Sequence, residues 1–301
     1  MATLPRYPVY IPSKGRHDIC WTAGFLSKDG VPFYLVVEPQ EQEEYARRFG
    51  SERVLVLPFS NLGQGSIPAR NWIKEHATAA GHERHWQLDD NIAYMGRRWK
   101  GRRVPCNSGV ALAAVEDFVD RYENVAVAGL NYEMFLINGV AYPPFYLNGR
   151  VYSCSLVLNS IPHKWRGRYN EDTDLCLQVL ADGWCTVLVN VFYVWKKWTM
   201  QLKGGNATEL YKGDGRLKMA RSLERVWPGV VSVDRRFHRP QHVVNWRRFD
   251  TPLKLKPGID LSQLPKVDEY GMGLKQVKPV KSEALRRLLA ERQVDNVTEG
   301  G

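Results

Sequence analysis

The residues best suited to chemistry directly follow a short apolar run, His85 to Leu88, and are the neighbouring Asp89, Asp90 and Asn91. Two carboxylates at the end of a buried strand are unfavourable unless a cation neutralises them. Hard divalent cations bind carboxylate and phosphate oxygens together, so this segment predicts an Mg²⁺ or Mn²⁺ ion held against a diphosphate. A simple Asp-Asp-Asn turn is the alternative interpretation of the same residues.

A second acidic cluster, Asn170 to Asp174, lies where a helix is predicted to begin. Carboxylates are favoured at a helix N-terminus, so capping is one explanation of the cluster. Three acids are more than a cap needs, and Arg166 and Arg168 directly precede them. These features favour a general base that accepts the proton of a hydroxyl group, with Asp172 as the first candidate and Glu171 as the second.

Three further polar segments follow early strands or begin a helix, and they suit a nucleotide. Lysine, arginine and the backbone N–H groups at helix N-termini bind phosphate. An ordinary polar loop, or an arginine paired with a surface acid, is the simpler alternative for each. The candidate residues for the bound nucleotide are Pro12, Ser13, Lys14 and Arg16 after the first strand, Glu38 after the second, and Arg70 and Asn71 in a first helical turn.

Positive charge and indole rings occur together later in the chain. The segment Trp195 to Trp198 contains Lys196 and Lys197, and a glycine loop with Asn206 follows it. Such a surface suits phosphates and stacked bases, although a strand end and an ordinary loop would read the same way. The chain has 42 basic and 32 acidic residues, a net charge of +10. This balance suits a partner that carries phosphates, but it can also serve solubility alone.

Two classes of protein are disfavoured by composition. The five cysteines are odd in number, widely spaced and never in a CxxC pair, which argues against a disulfide framework or a zinc knot. No secretory signal is visible at the N-terminus, and no apolar run approaches the roughly 20 residues of a membrane span. We therefore expect a soluble protein with reduced cysteines, located in the cytoplasm and not bound to a membrane. His242 is a weaker candidate metal ligand, favoured because it follows the second acidic cluster.

The first ninety residues alternate strand and helix signals, which would bring these polar segments together. Successive βα units predict a parallel, doubly wound α/β sheet, because parallel strands need crossover helices. Such sheets bind ligands at the carboxyl ends of their strands. We predict strands at Tyr7 to Ile11, Phe33 to Val37, Val54 to Leu57 and His85 to Leu88, and helices at Asp18 to Leu26, Glu41 to Phe49 and Ser66 to Gly81, with Ser66 as a cap.

The second half has an α+β pattern. We predict helices at Val110 to Tyr122 and Asn170 to Leu180, and strands at Val125 to Leu130, Tyr152 to Leu158 and Thr186 to Val194. Residues 250–301 are predicted to form a C-terminal extension. It consists of an extended strap at Asp250 to Val280, an amphipathic helix at Ser282 to Arg292 and a disordered end.

The ordered set of motifs resembles the TET-associated glycosyltransferases of bacteriophages. The segments that carry this resemblance are YIPSKGR at Tyr10 to Arg16, GQGSIPARN ending at Asn71, LDDN at Leu88 to Asn91, RGRYNEDTDL at Arg166 to Leu175, KKW at Lys196 to Trp198 and GGN at Gly204 to Asn206. The resemblance covers roughly residues 5 to 250, and the ordered set of motifs is far more specific than any one of them.

The resemblance implies a GT-A fold, a nucleotide-sugar donor such as a uridine diphosphate (UDP) sugar, and a divalent metal. It also implies an acceptor, hydroxymethylcytosine in double-stranded phage DNA, that a partner TET-like oxygenase produces. Residues 1–249 would then form one glycosyltransferase domain, with a nucleotide-sugar half at 1–95 and an acceptor and catalytic half at 96–249.

Carried over to this sequence, the resemblance gives roles to individual residues. Ser13, Lys14, Arg16, Glu38, Arg70 and Asn71 would contact the donor nucleotide. Asp89 and Asp90 would serve the ribose and the metal, and Asp172 or Glu171 would be the base. One position departs from the usual Asp-x-Asp signature, since the third residue is the neutral Asn91. The expected DNA contacts are Arg166, Arg168, Lys196, Lys197, Trp198 and Asn206.

Two other functions use similar residues. A metal-dependent nuclease would need Asp89, Asp90, Glu171 and Asp172 to converge on metals roughly 4 Å apart, and the loops after the first strands would then have no purpose. A DNA-binding module without catalytic activity needs only the basic and Trp-rich segments. It does not explain acids clustered at strand ends, where they would repel DNA.

Overall fold

The computed structural model describes residues 3–167, 169–196, 215–236 and 239–267. Its centre is a ten-stranded mixed sheet, beside which β11 and β12 form a separate two-stranded sheet. The strands are β1 (Val9–Pro12), β2 (Tyr34–Val37), β3 (Val54–Val56), β4 (Arg84–Leu88), β5 (Ile92–Trp99), β6 (Arg102–Pro105), β7 (Val125–Tyr132), β8 (Phe145–Leu147), β9 (Cys154–Leu158), β10 (Cys185–Lys196), β11 (Val231–Arg236) and β12 (Arg239–Val244).

The sheet order places the polar ends of distant strands at one edge. Its order is β3-β2-β1-β4-β9-β7-β10-β5-β6, and β8 pairs with β10. Strands β1 to β4 are parallel, and β7 and β10 run in the same direction because the antiparallel β9 lies between β4 and β7. The carboxyl ends of β1, β2, β4 and β10 and the amino end of β9 therefore lie at the same edge.

Helices cover both faces of the sheet. They are α1 (Trp21–Asp29), α2 (Gln42–Phe49), α3 (Ile67–Ala79), α4 (Ser108–Val119), α5 (Glu171–Ala181) and α6 (Gly215–Val226). Alternate side chains of a strand point to opposite faces. Val9 and Ile11 of β1 accordingly join the core under α1 and α4, whereas Tyr10 joins the core under α3. The predicted α/β class, with helices on both faces of a sheet whose strands run mostly in one direction, is confirmed.

Most of the predicted elements are present with boundaries shifted by a few residues. The sequence did not predict the β5–β6 hairpin, β8, α6 or the β11–β12 hairpin. The sheet is continuous across residue 95, so both sides of the expected division at that residue share one sheet. That division stays a prediction, and the predicted helix at Ser282 to Arg292 lies outside the described residues.

The first part of the predicted strap contacts the residues that directly precede β7. The backbone N–H of Lys254 donates to Asn124 Oδ1 at 2.8 Å, and the backbone N–H of Glu123 donates to the carbonyl of Lys254 at 2.9 Å. These contacts lie near the start of β7, at the end of the strand opposite to the polar edge. None of the helices in the described ranges combines the length and the apolar character that crossing a bilayer requires.

Candidate active site

Arg70 joins the two acidic clusters that lie far apart in the sequence. Its Nη2 atom lies 2.8 Å from Asp89 Oδ1 and 3.8 Å from Asp172 Oδ2, and its side chain is 4% exposed. Arg70 is in the first turn of α3, so the start of this helix carries the guanidinium to the polar edge of the sheet. Burial opposes the charge, but the Asp172 and Asp89 carboxylates outweigh it and raise the pKa of Arg70. The site is therefore centred on a permanent cation.

Asp89 is held by a second cation at its other oxygen. Lys196 Nζ donates to Asp89 Oδ2 at 2.5 Å and to Ser153 Oγ at 2.9 Å. Ser153 directly precedes β9, which pairs with β4, and Lys196 ends β10 at the same edge of the sheet. Burial alone would raise the pKa of Asp89, but Lys196 and Arg70 together hold it well below its usual range. Asp89 is thus ionised and paired on both oxygens.

Asp90 is bonded by residues of the turn after β1. Ser13 Oγ donates to Asp90 Oδ2 at 2.7 Å, and Arg16 Nη1 donates to Asp90 Oδ1 at 2.5 Å. Ser13 Oγ also lies 2.6 Å from the hydroxyl of Tyr45 on α2. Burial raises the pKa of Asp90 in spite of the Arg16 charge. Asp90 thus fixes the turn that the sequence analysis assigned to a nucleotide.

Asp172 and Glu171 stand at the start of α5, facing the start of α3. Asp172 Oδ1 accepts a hydrogen bond from Trp165 Nε1 at 3.2 Å, and Glu171 Oε1 accepts one from Ser66 Oγ at 3.1 Å. Burial, and next the charge of Asp172, raise the pKa of Glu171. The Arg70 guanidinium thus lies close to two carboxylates, Asp89 and Asp172. Such a cation can bind an anionic ligand, while a neighbouring carboxylate accepts a proton.

Other residues of the predicted site are engaged in contacts within the fold. The side chain of Asn71 makes two hydrogen bonds with the backbone of Trp165, one to the carbonyl at 2.8 Å and one from the N–H at 3.0 Å. Arg166 donates from Nε to Asp174 Oδ2 at 2.8 Å. Asp174 also accepts from Trp227 Nε1 at 2.7 Å. Asn71 and Arg166 therefore connect elements around the site, and their predicted ligand contacts stay predictions.

The turn after β1 and the acid after β2 meet at an exposed rim. Lys14 Nζ lies 2.7 Å from Glu38 Oε2. Burial opposes ionisation of Glu38, but hydrogen bonds from Lys14 and Gln40 outweigh it and lower the pKa of Glu38. Pro12 pairs with Val36 in the sheet. The backbone N–H of Gly15, one of the donors expected for phosphate, instead donates to Glu41 Oε1 at 2.8 Å.

The predicted metal ligands do not fit a divalent ion in this arrangement. Both oxygens of Asp89 and both oxygens of Asp90 accept from cationic groups or from Ser13. Asn91 Oδ1 is buried without a partner, but it is one neutral ligand. Magnesium and manganese usually take several oxygens with one or two free carboxylates. Within the described residues, no group of three or more acidic, histidine or cysteine side chains could hold a metal.

The remaining candidates lie elsewhere or outside the described part. His242 is on β12, opposite Val233, and burial followed by the Arg150 charge lowers its pKa to about 4. No contact in the described ranges joins His242 to Asp89 or Asp90, so the structure gives no support to its proposed role as a metal ligand. Arg168, Lys197, Trp198 and Asn206, expected at the DNA, lie outside the described residues.

Several residues of the site were missed by the sequence analysis. Lys196 was expected at DNA, yet its ammonium group is bonded to Asp89. Ser153, Tyr132 and Trp165 received no role, and the Tyr132 and Ser153 hydroxyls are hydrogen bonded to each other. A local signal existed for Lys196 alone, because it closely follows the predicted strand Thr186 to Val194, and the end of a strand parallel to β4 lies at the same edge as Asp89.

Comparison with known proteins adds a family to this geometry. The sequence profile of the TET-Associated Glycosyltransferase family matches residues 7–205. No curated protein has significant sequence similarity to the chain. One similar solved structure is a crystal structure described as a nucleotide-diphospho-sugar transferase from Desulfovibrio desulfuricans G20. It is 8% identical, it covers 74% of this chain and 99% of its own, and its TM-score is 0.36. A similarity this low carries no argument about function, whereas the family profile spans the whole polar edge.

Proposed function

Because the chain belongs to the TET-associated glycosyltransferase family and is a glycosyltransferase, we propose that it transfers a sugar from a UDP-sugar to hydroxymethylcytosine in double-stranded DNA. The observation that carries the proposal is the position of Arg70, whose guanidinium lies between Asp89 and Asp172 at the edge where β1, β4 and β10 end. A buried cation with a carboxylate beside it suits a reaction in which an anion leaves and a hydroxyl group attacks.

The donor is proposed to lie along the carboxyl ends of β1, β2 and β4. Lys14 is exposed at this rim and Arg16 is partly exposed beside Asp90, so both cations can be reached by a nucleotide. Ser13 would complete the contacts to the nucleotide, and Asp89 would face the ribose. The donor's leaving diphosphate would then lie next to Arg70, whose charge stabilises the negative charge that develops there.

Asp172 is proposed as the general base. The hydroxymethyl oxygen of the acceptor would form a bond to the anomeric carbon while the bond from that carbon to the diphosphate breaks. The electron pair of the broken bond stays on the diphosphate, and the proton of the hydroxymethyl group passes to Asp172. The side chain of Asp172 is 20% exposed, so an acceptor can reach it. Glu171, whose Oε1 accepts from Ser66, is the second candidate.

The acceptor is proposed to be DNA because of the net charge of +10 and the lysine and tryptophan residues from Trp195 to Trp198. Arg166, Arg168, Lys197, Trp198 and Asn206 are the proposed contacts, whereas Lys196 is engaged with Asp89. Hydroxymethylcytosine would come from a TET-like oxygenase, and transfer would take place in the cytoplasm of the host cell. A two-metal nuclease is disfavoured because the Arg70 guanidinium lies within 3.8 Å of both Asp89 and Asp172, and this cation would repel metal ions bound there.

Incubation with a panel of nucleotide sugars tests this function directly. Duplex DNA that contains hydroxymethylcytosine is the acceptor, and the matched duplex with cytosine is the control. Nucleoside mass spectrometry should show one hexose-sized mass increase on hydroxymethylcytosine, with a UDP-sugar as the best donor and no product from the control duplex. Cleaved DNA without any sugar adduct would contradict the proposal and favour the nuclease.

A further inference from the structure

We propose that Lys196 and Arg70 supply the positive charge at the donor's diphosphate, in the place where a divalent metal ion was expected. This inference rests on the proposed function, because it concerns the same donor site. It replaces the expectation of a metal at Asp89 with two cations of the chain itself. The contacts that carry it are those of Asp89, whose two oxygens accept from Arg70 Nη2 at 2.8 Å and from Lys196 Nζ at 2.5 Å.

A metal ion at Asp89 would have to bind directly beside these two cations or displace one of them. Removing Lys196 from Asp89 would leave a largely buried ammonium group beside a divalent cation, and removing Arg70 would leave a guanidinium that is only 4% exposed. Like charges at short distance repel strongly where water is scarce. Breaking a buried ion pair at one partner is also unfavourable, because it leaves an uncompensated charge. Asp89 is therefore closed to a metal.

Asp90 offers no better site. Its oxygens accept from Ser13 at 2.7 Å and from Arg16 at 2.5 Å, and the Asn91 oxygen is a single neutral ligand. A metal that used Asp90 would displace Arg16 in the same way. All the carboxylate oxygens of the expected metal motif are thus bound by the chain itself.

Lys196 lies where it can supply the positive charge that a metal ion would otherwise provide. An ammonium group has three donors, and Asp89 and Ser153 account for two of them. The Lys196 side chain is 14% exposed, so a ligand at the polar edge can accept the third. A preorganised donor aimed at developing charge contributes typically about 10²–10³-fold to a reaction rate. Together with Arg70, this ammonium group can stabilise the leaving diphosphate as its bond to the sugar breaks.

The test measures metal and nucleotide binding separately from activity. Mn²⁺ is titrated into the full-length protein and followed by electron paramagnetic resonance, and UDP binding is measured by calorimetry with Mn²⁺ and with EDTA. We expect no stoichiometric Mn²⁺ binding below about 1 mM, and UDP affinities that agree within about two-fold in the two buffers. Stoichiometric Mn²⁺ binding by the wild type, or a tenfold loss of UDP affinity in EDTA, would overturn the inference.

Variants of the lysine sharpen the test. Lys196→Met keeps the length of the side chain but removes its charge, and it should weaken UDP binding in EDTA at least tenfold. Lys196→Arg should retain most of the affinity. Lys256→Met is the matched control, since this exposed lysine pairs with Glu83 at the opposite end of β4, and its UDP affinity should equal that of the wild type. Equal UDP affinity in Lys196→Met and the wild type would also overturn the inference.

Failure of the proposed function gives a different result. If UDP binds in neither buffer, the donor assignment is wrong, while the Mn²⁺ titration still decides whether Asp89 is closed to a metal. If transfer is observed, its rate in EDTA should be within about two-fold of its rate with Mn²⁺. Transfer that occurs with Mn²⁺ but not with EDTA would refute the inference and leave the proposed function standing.

Discussion

Replacement of Asp172 by asparagine separates the proposed general base from a merely structural carboxylate. The present side chain accepts from Trp165 Nε1 at 3.2 Å and lies 3.8 Å from Arg70, which is beyond hydrogen-bond length. Asparagine keeps an oxygen that can accept from Trp165, and its shape is almost the same. It has no carboxylate oxygen to take a proton. The substitution thus removes one chemical property and leaves the packing intact.

The expected loss follows from that single property. General-base catalysis typically contributes about 10²–10⁴-fold, so the transfer step should slow by that factor. The same factor corresponds to an increase of about 3–5 kcal/mol in the activation free energy. Binding of UDP should change little, because Arg70 keeps its contact with Asp89 at 2.8 Å.

Stability should be almost unchanged for a related reason. The variant loses the attraction between Arg70 and Asp172, but it also loses the charge of Asp172 that raises the pKa of Glu171. Arg70 keeps its hydrogen bond to Asp89 at 2.8 Å, so the substitution leaves no uncompensated buried charge and should cost about 1 kcal/mol, the typical value for a single substitution. A change of this size lowers the melting temperature of a protein of this length by about 2–4 °C at most.

A single-turnover assay on hydroxymethylated duplex DNA with saturating donor isolates the chemical step. UDP calorimetry and thermal melting are measured on the same preparations, and Glu171→Gln is the paired variant. Near-normal turnover in Asp172→Asn together with an inactive Glu171→Gln would move the role of the base to Glu171. Near-normal turnover in both variants would refute an enzymic base at this cluster.

Three further outcomes are expected. Asp174→Ala should lower the free energy of unfolding by about 1–3 kcal/mol in a urea titration, because the half-buried Trp227 and the Arg166 guanidinium lose their acceptor on the buried Asp174. Burial raises the pKa of Glu171, so ionisation of this residue destabilises the folded state as pH rises through that raised value, and Glu171→Gln should melt higher than the wild type at pH 8. This difference should vanish below the ordinary pKa of 4.5. Lys197→Ala should reduce the slope of log K against log salt for DNA by about 0.9, measured by fluorescence anisotropy.

Local sequence signals were sufficient to predict the N-terminal strands and helices, and to predict that Ser13, Asp89 and Asp90 lie together. Apolar runs with helical segments between them predicted β1 to β4, and the acids after Leu88 marked the carboxyl end of β4. Parallel strands place such ends at one edge, and for this reason Ser13, Asp89 and Asp90 could be expected together. The structure confirms that proximity through the contact of Ser13 with Asp90.

The cations that neutralise the acids could not be identified in the same way. Lys196 pairs with Asp89 from 107 residues away, and their contact depends on an antiparallel strand, β9, inserted between β4 and β7. The adjacent carboxylates indicated a cation beside Asp89, and this cation was expected to be a metal ion. The β5–β6 hairpin was missed because Arg97, Arg98 and Arg103 interrupt its apolar alternation.

The capping explanation of the second acidic cluster illustrates how tertiary contacts override a local rule. Ser66 was predicted to cap α3, and the acids at the start of α5 were explained in part as caps. In neither helix does the N-cap side chain accept a hydrogen bond from a backbone N–H of the first turn. Ser66 instead donates to Glu171 Oε1, and Asn170 donates to the carbonyl of Met219. The Ser66 contact joins the starts of α3 and α5, and Arg70 in the next turn then comes within 3.8 Å of Asp172. Polar side chains that could have capped two separate helices instead hold the starts of α3 and α5 together. Asp172 thereby comes close to Arg70, and it is the first candidate for the general base.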